Sequence, residues 1–214
     1  MTVKILLTGF EPFGGDSRNP SLDAVRTVEK QFTHPSAELI ATPLVVEFSG
    51  AHQALSSAIT QYSPDIVVSV GLAAGRTGLT FERVAINLAD ARIPDNAGEQ
   101  PVDSALIEGA ENALFTSLPI KRAVEAVKEA GLVASVSYTA GTYVCNAAMF
   151  YILQEQLGSD AQGGFIHVPD AYAEDAQMSV EDIAQGIQIA LREFVDAFLA
   201  GNGDVRRQIG RAHV

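Results

Sequence analysis

The sequence predicts an α/β fold, one domain built around a mostly parallel sheet, on three observations. Strand-like and helix-like segments alternate three times from the N-terminus, which is the pattern of α/β layering. The segments Val3 to Thr8 and Ile66 to Val70 are mainly apolar, interrupted only by Lys4, Thr8 and Ser69, as strands buried on both faces of a parallel sheet are. The 214 residues, 47% hydrophobic and 19% charged, suit a single core, and the 18 Gly and 9 Pro are spread along the chain rather than gathered into a linker.

Taken in order, Val3 to Thr8 is the first strand. It empties into Gly9 to Pro20, a loop whose three Gly and two Pro give it a specific shape. Phe10 and Phe13 in this loop either pin it to the core or wall a ligand site at the strand's carboxyl end, where open α/β sheets bind. Pro20-Ser21 opens a helix to about Phe32. Leu39 to Val46 is the second strand and Phe48 to Tyr62 the second helix, with Ala51, Leu55, Ala58 and Ile59 on one face. Ile66 to Val70 follows, ending in Gly71-Leu72. Thr80 to Leu88 reads as one strand with mixed faces that suits antiparallel pairing. On it, Glu82 shares a face with three apolar residues and points inward. An unpaired buried carboxylate is costly, so a partner is expected, with Arg76, Arg83 and Arg92 as candidates. Asp90 to Pro101 is a polar loop of turn residues. Leu118-Pro119 starts a helix to Glu129, stopped by Gly131.

Leu132 to Tyr138 reads as a buried, central strand and Asn146 to Leu157 as a helix, with a turn on Gly141 between them. Gly163 to Pro169 is the last strand, and Ser179 to Leu199 the closing helix, capped by Ser179 and Asp182 and stopped by Gly201. The domain is expected to span 1–201. The tail, 202–214, is expected to be mobile or docked on another subunit.

Composition excludes several function classes. A formal net charge of −12 opposes nucleic acid and anionic membrane surfaces. No run reaches the roughly 18 apolar residues of a membrane span. Met1 to Leu7 is too short for a signal peptide and reads as strand. One cysteine excludes an internal disulfide and fits a reducing cytoplasm. One cysteine and four scattered histidines offer no metal site. The chain lacks a G-x-S-x-G elbow, a phosphate loop and an H-E-x-x-H helix.

What remains is nucleophilic chemistry. Cys145 sits where a strand hands over to a helix, facing unpaired N–H groups and the positive end of the helix dipole. That placement lowers a thiol pKa; the alternative is a small buried hydrophobe. Of the histidines, His34 lies in a connection, His52 in a helix and His213 in the tail. Only His167 lies at a strand end. Cys145 and His167 are expected at the carboxyl ends of adjacent strands.

Five segments carry a resemblance. They are Leu7-Thr8-Gly9-Phe10-Glu11-Pro12-Phe13-Gly14-Gly15 with Asn19-Pro20-Ser21; Glu82 to Asn87; Asp90 to Asn96; Ser137 to Asn146; and Gly163 to Pro169. The chain resembles the pyroglutamyl peptidase I family nearly end to end. The resemblance implies a three-layer α/β/α fold with a twisted, mostly parallel sheet, an assembly of four subunits, and no cofactor or metal. It implies Cys145 as nucleophile, His167 as base and Glu82 as the orienting carboxylate. Arg92 would support the oxyanion together with the Cys145 N–H. Phe10, Phe13, Asn19, Tyr143 and Val144 would surround the substrate. Backbone groups near Gly71 and Leu72, with Asn19, would pair the lactam. The family usually has Gln in place of Leu72 and often Phe in place of Tyr143. The implied activity is removal of an N-terminal pyroglutamyl residue from peptides through a thioester. Two other readings stand beside it: a small-molecule binding protein with a redox-sensitive Cys145, and a phosphorylase.

Overall fold

The computed structural model describes residues 2–201; the expected tail 202–214 lies outside the described residues. Strands β1 (Val3–Phe10), β2 (Ala37–Leu44), β3 (Ile66–Leu72), β4 (Leu79–Glu82), β7 (Ala134–Ser137) and β8 (Gln162–Val168) form one sheet in the order β2-β1-β3-β8-β4-β7. Its pairs are parallel except β4 with β8, which run antiparallel. Strands β5 (Val84–Ile86) and β6 (Ala113–Phe115) form a separate antiparallel pair.

The helices are α1 (Pro20–Gln31), α2 (Phe48–Tyr62), α3 (Ile120–Glu129), α4 (Val144–Glu155) and α5 (Val180–Leu199). Helices α1, α3 and α5 cover one sheet face, on Val3, Ile5, Leu7, Ile66, Val68, Phe81 and Ile166. Helices α2 and α4 cover the other, on Leu6, Phe10, Val67 and Phe165. The fold is therefore α/β in three layers. The period of two along each strand sets the division, since neighbouring side chains face opposite layers. Each layer holds its own apolar core, because a helix or a sheet must bury its apolar face against another element.

Three expectations need correction. The run from Thr80 to Leu88 is two strands, not one. It breaks at Arg83, whose N–H donates to Ser137 O at 2.8 Å while its carbonyl accepts from Thr116 N at 3.1 Å, so the chain passes from one ladder to another. The partner strand β6 was not foreseen. The strand before Cys145 is also not central: β7 is a four-residue edge strand pairing only with β4. Val133 and Tyr138, flanking it, are 56% and 69% exposed, because among the described residues no further strand covers that edge. Finally, β4 separates β7 from β8, so the strands leading to Cys145 and His167 are not neighbours.

Candidate active site

Residues Thr80, Glu82, Phe165 and His167 face the α2/α4 layer, opposite to Phe81 and Ile166. Glu82 is fully buried and His167 is buried. The antiparallel pairing of β4 with β8 sets Thr80 opposite His167 and brings Glu82 Oε1 to 2.7 Å from His167 Nδ1. An ionised carboxylate only accepts hydrogen bonds, so the imidazole proton lies on Nδ1 and Nε2 keeps its lone pair. The Phe165 ring packs against the imidazole, tilted by 55° with centroids 4.8 Å apart.

Cys145 arrives from elsewhere. After β7 the chain turns at Gly141, whose φ of 81° suits glycine, and enters α4 at Val144. The helix thus starts two residues earlier than the sequence suggested, and Cys145 lies in its first turn. No side chain caps α4. Its first-turn N–H groups have no intrahelical acceptor and face the thiol region. Asn146 fastens this turn to β5: its Oδ1 accepts from Ile86 N at 2.9 Å, and its Nδ2 donates to Ile86 O and Leu88 O.

Gly71 is where the two halves meet. It pairs in register with His167, and a Cβ at Gly71 would lie 2.9 Å from Cys145 Sγ and 2.7 Å from the Phe165 ring. The sulfur therefore packs against the β3 backbone beside the histidine's place in the ladder. Any side chain at position 71 would push it away.

A small cavity of about 160 Å³ opens on Cys145. Its apolar wall is Phe10, Phe13, Val46, Leu72, Tyr143 and Val144, with Asp16, Arg18 and Asn19 on the polar side. Phe13 and Phe48 pack against the Tyr143 ring at 5.5 and 5.4 Å between centroids. The Tyr143 hydroxyl donates to Pro94 O at 3.0 Å. Burial, together with Asp95 and Cys145, pushes its pKa up to about 12, so it stays a neutral donor. A larger groove, about 700 Å³ and lined in part by His52, Glu99 and Tyr151, lies outside α2 and does not include Cys145.

The structure thus brings Cys145, His167, Glu82, Gly71, Leu72, Phe10, Phe13, Asn19, Tyr143 and Val144 to one place. It does not bring Arg92 into the cavity wall: Arg92 is exposed on the loop before Asp95. Asn19 is already committed to the protein. It caps α1 by accepting from Ser21, and its Nδ2 donates to Glu11 O at 3.0 Å, which fixes the loop bearing Phe13. Arg18, Asp16 and Val46 were missed. The first two belong to the loop singled out in the sequence and stay exposed at the rim of the cavity, with Arg18 paired to Asp23, so nothing in that loop marks them. Of the three candidate partners for Glu82, the structure selects Arg76, at 2.7 Å.

The electrostatics correct the expected thiolate. Burial pushes the Cys145 thiol up to about 12, the Glu82 charge adds to this, and the Arg76 guanidinium opposes it. Burial lowers the His167 pKa against the pull of Glu82. The resting pair is a neutral thiol and a neutral imidazole. Desolvation of both groups outweighs the helix dipole.

Known proteins resemble this chain over most of its length. A family model described as pyroglutamyl peptidase matches residues 3–196. The pyrrolidone-carboxylate peptidase of Pseudomonas fluorescens is 46% identical over 193 residues, covering 87% of this chain and 90% of that protein. That of Clostridium botulinum (strain Alaska E43 / Type E3) is 41% identical over 216 residues, covering 97% and 99%. The crystal structure of pyroglutamyl peptidase I from Bacillus amyloliquefaciens superposes with a TM-score of 0.86 at 40% identity, covering 91% of this chain and 95% of that one. Together with a buried carboxylate–imidazole pair beside a helix-borne thiol, these matches show that the chain belongs to the pyroglutamyl peptidase family.

Proposed function

We propose that the chain is a cysteine exopeptidase that removes an N-terminal pyroglutamyl residue from peptides, with Cys145, His167 and Glu82 as its triad. One observation supports the assignment of residues: the Cys145 sulfur packs against Gly71, the ladder partner of the Glu82-bound His167, and the same Cys145 lines a small, mainly apolar cavity. The lactam ring fits against Phe10, Phe13, Leu72 and Tyr143. The Leu72 backbone, past the last residue of β3 that pairs with β1, would pair its N–H and C=O, whereas Gly71 is tied into the ladder with β8. Leu72 serves here through its backbone and an apolar side chain, which supports its standing where the family usually has Gln. Family membership leaves the binding-protein and phosphorylase readings without support.

The neutral resting pair sets the order of events. As the sulfur attacks the pyroglutamyl carbonyl carbon, the thiol proton passes to His167 Nε2. Glu82 holds the imidazole by Nδ1 and stabilises the imidazolium, the role of the third member of a triad. The oxyanion is met by the uncapped first-turn N–H groups of α4, that of Cys145 first. Arg92 can join only if its loop moves inward. The imidazolium then gives its proton to the leaving amine nitrogen as the C–N bond breaks. Water, deprotonated by His167, attacks the thioester, releasing pyroglutamate and restoring the thiol. No step needs a metal or cofactor.

A cytoplasmic setting is supported by the lone cysteine. Assembly into a homotetramer is supported by the family resemblance and by apolar Val133 and Tyr138 at the sheet edge. Sedimentation would measure it. The activity test is hydrolysis of a fluorogenic pyroglutamyl amide with and without prolonged iodoacetamide treatment. Turnover that alkylation abolishes is expected. Turnover that survives complete alkylation of Cys145 removes it from the mechanism.

A further inference from the structure

We propose that Arg76 is a positioning residue for this reaction: it holds Glu82 toward His167 and ties that carboxylate to the segment that delivers Cys145. The inference rests on the triad assignment and deepens it.

Arg76 sits in the turn after β3, its own N–H closing that turn on Ala73 O at 3.0 Å. Its guanidinium forks between two strands. Nη1 donates to Glu82 Oε1 at 2.7 Å and to the Thr80 hydroxyl, both on β4. Nη2 donates to Ser137 Oγ and to Thr139 O, each at 3.2 Å, at the end of β7. From Thr139 the chain runs through the Gly141 turn into α4 and Cys145. One planar cation therefore joins the carboxylate strand to the start of the nucleophile's connection.

The oxygen it binds is the one that matters. Glu82 Oε1 accepts from both Arg76 and His167 Nδ1, each at 2.7 Å, while buried Oε2 has no partner among the described residues. Arg76 thus fixes which oxygen faces the imidazole. It is also the counter-charge that pairs a fully buried carboxylate at 2.7 Å. The titratable and charged groups facing His167 are Glu82 on β4, Arg76 on the β3–β4 turn and Cys145 on α4. Its other neighbours, Gly71, Thr80 and Phe165, carry no charge. Without Arg76 the imidazolium itself becomes the sole nearby cation for Glu82, which favours protonated His167. A protonated imidazole cannot take the thiol proton.

The experiment compares the wild-type chain with Arg76→Gln, Arg76→Lys and His167→Ala. It follows kcat and KM for a pyroglutamyl amide against pH, with thermal unfolding alongside. Arg76→Gln is expected to lower kcat at least about tenfold at neutral pH with KM within about twofold, the signature of an interaction that acts in the chemical step. Its acidic limb is expected to move to higher pH. Arg76→Lys is expected to return the limb to the wild-type position while recovering only part of kcat, since an ammonium lacks the planar fork that spans both strands. Should Arg76→Gln not fold, Arg76→Lys decides alone, and wild-type kcat in it overturns the proposal. A lowered unfolding temperature with kcat and limb unchanged in Arg76→Gln means a structural role and also overturns it. Active His167→Ala would overturn the triad itself. Inactive His167→Ala beside an unaltered Arg76→Gln would overturn only the role of Arg76.

Discussion

The two faces of the main sheet are built from the same strands and carry different residues. Toward α1, α3 and α5 the strands present Val3, Ile5, Leu7, Ile66, Val68, Val70, Phe81 and Ile166, all buried and all apolar. Toward α2 and α4 they present Thr8, Ser69, Thr80, Glu82 and His167 among the hydrophobes, also buried. Every polar group on the second face needs a partner, and most have one. Thr8 and Ser69 hydroxyls bond each other, Glu82 bonds His167 and Arg76, and Asn146 bonds β5. The difference teaches that stability and chemistry are separated by strand alternation. A change on one face should act on folding, and a change on the other on turnover.

The strongest way to break that contrast is to remove the reacting groups. Cys145→Ala is expected to lose all turnover above background. His167→Ala is expected to be nearly as inactive, and Glu82→Gln impaired but measurable, by less than the roughly 10⁴-fold loss that a serine triad suffers without its carboxylate. Stopped assays at high enzyme concentration with a pyroglutamyl amide measure all three. Full activity in Glu82→Ala would move the orienting role to another group.

Next in size is Gly71→Ala. The added methyl would overlap both Cys145 Sγ and the Phe165 ring. A displacement on the order of 1 Å at a reacting group can cost about 10²-fold. A fall in kcat/KM of that order is expected, larger than the loss of stability would explain. Unchanged kcat/KM would show that the sulfur is not seated against β3.

Phe194→Ala sharpens the comparison from the other side. Phe194 is fully buried on α5 and stacks edge-on with Phe81 at 6.4 Å. Its truncation is expected to cost about 3–5 kcal/mol of stability, by denaturant unfolding. At a temperature well below unfolding, kcat should stay within about twofold. A large kcat loss would mean that the two faces are coupled.

The smallest effect is the position of the acidic limb. The base works only when neutral, so activity falls as pH drops through the His167 pKa. Burial lowers that pKa from its ordinary 6.5, so the limb of kcat/KM should lie below 6.5. A limb above that value would show that Glu82 outweighs desolvation.

Much of this was legible in the sequence because the apolar face is written redundantly. Mainly apolar runs such as Val3 to Leu7 read as buried strand, and caps such as Ser179 with Asp182 mark helix ends, here as a complete capping box. The triad residues were legible through the lone cysteine, one strand-end histidine and the family resemblance. What was not legible depends on pairing between distant segments. β5 and β6 are three residues each, too short to show a period, and exist because Arg83 hands the chain from Ser137 to Thr116. The thiol's rise to about 12 depends on burial by residues far apart in sequence, so the helix-start position alone gave the wrong sign. Arg76 could be named as a partner for Glu82, but choosing it over Arg83 and Arg92 required the turn at Ala73 to be closed in space.

The protonated thiol has a consequence for durability. Burial holds the Cys145 thiol above its ordinary value, so at neutral pH the resting sulfur is mainly protonated. Oxidation to sulfenic acid proceeds through the thiolate, as alkylation does. The empty enzyme is therefore expected to oxidise slowly in air, although all of its turnover depends on one sulfur atom. Its nucleophile is released only as a carbonyl arrives to receive it. Resting oxidants such as dilute peroxide should find the site nearly inert, and occupancy by substrate should be what exposes it to damage.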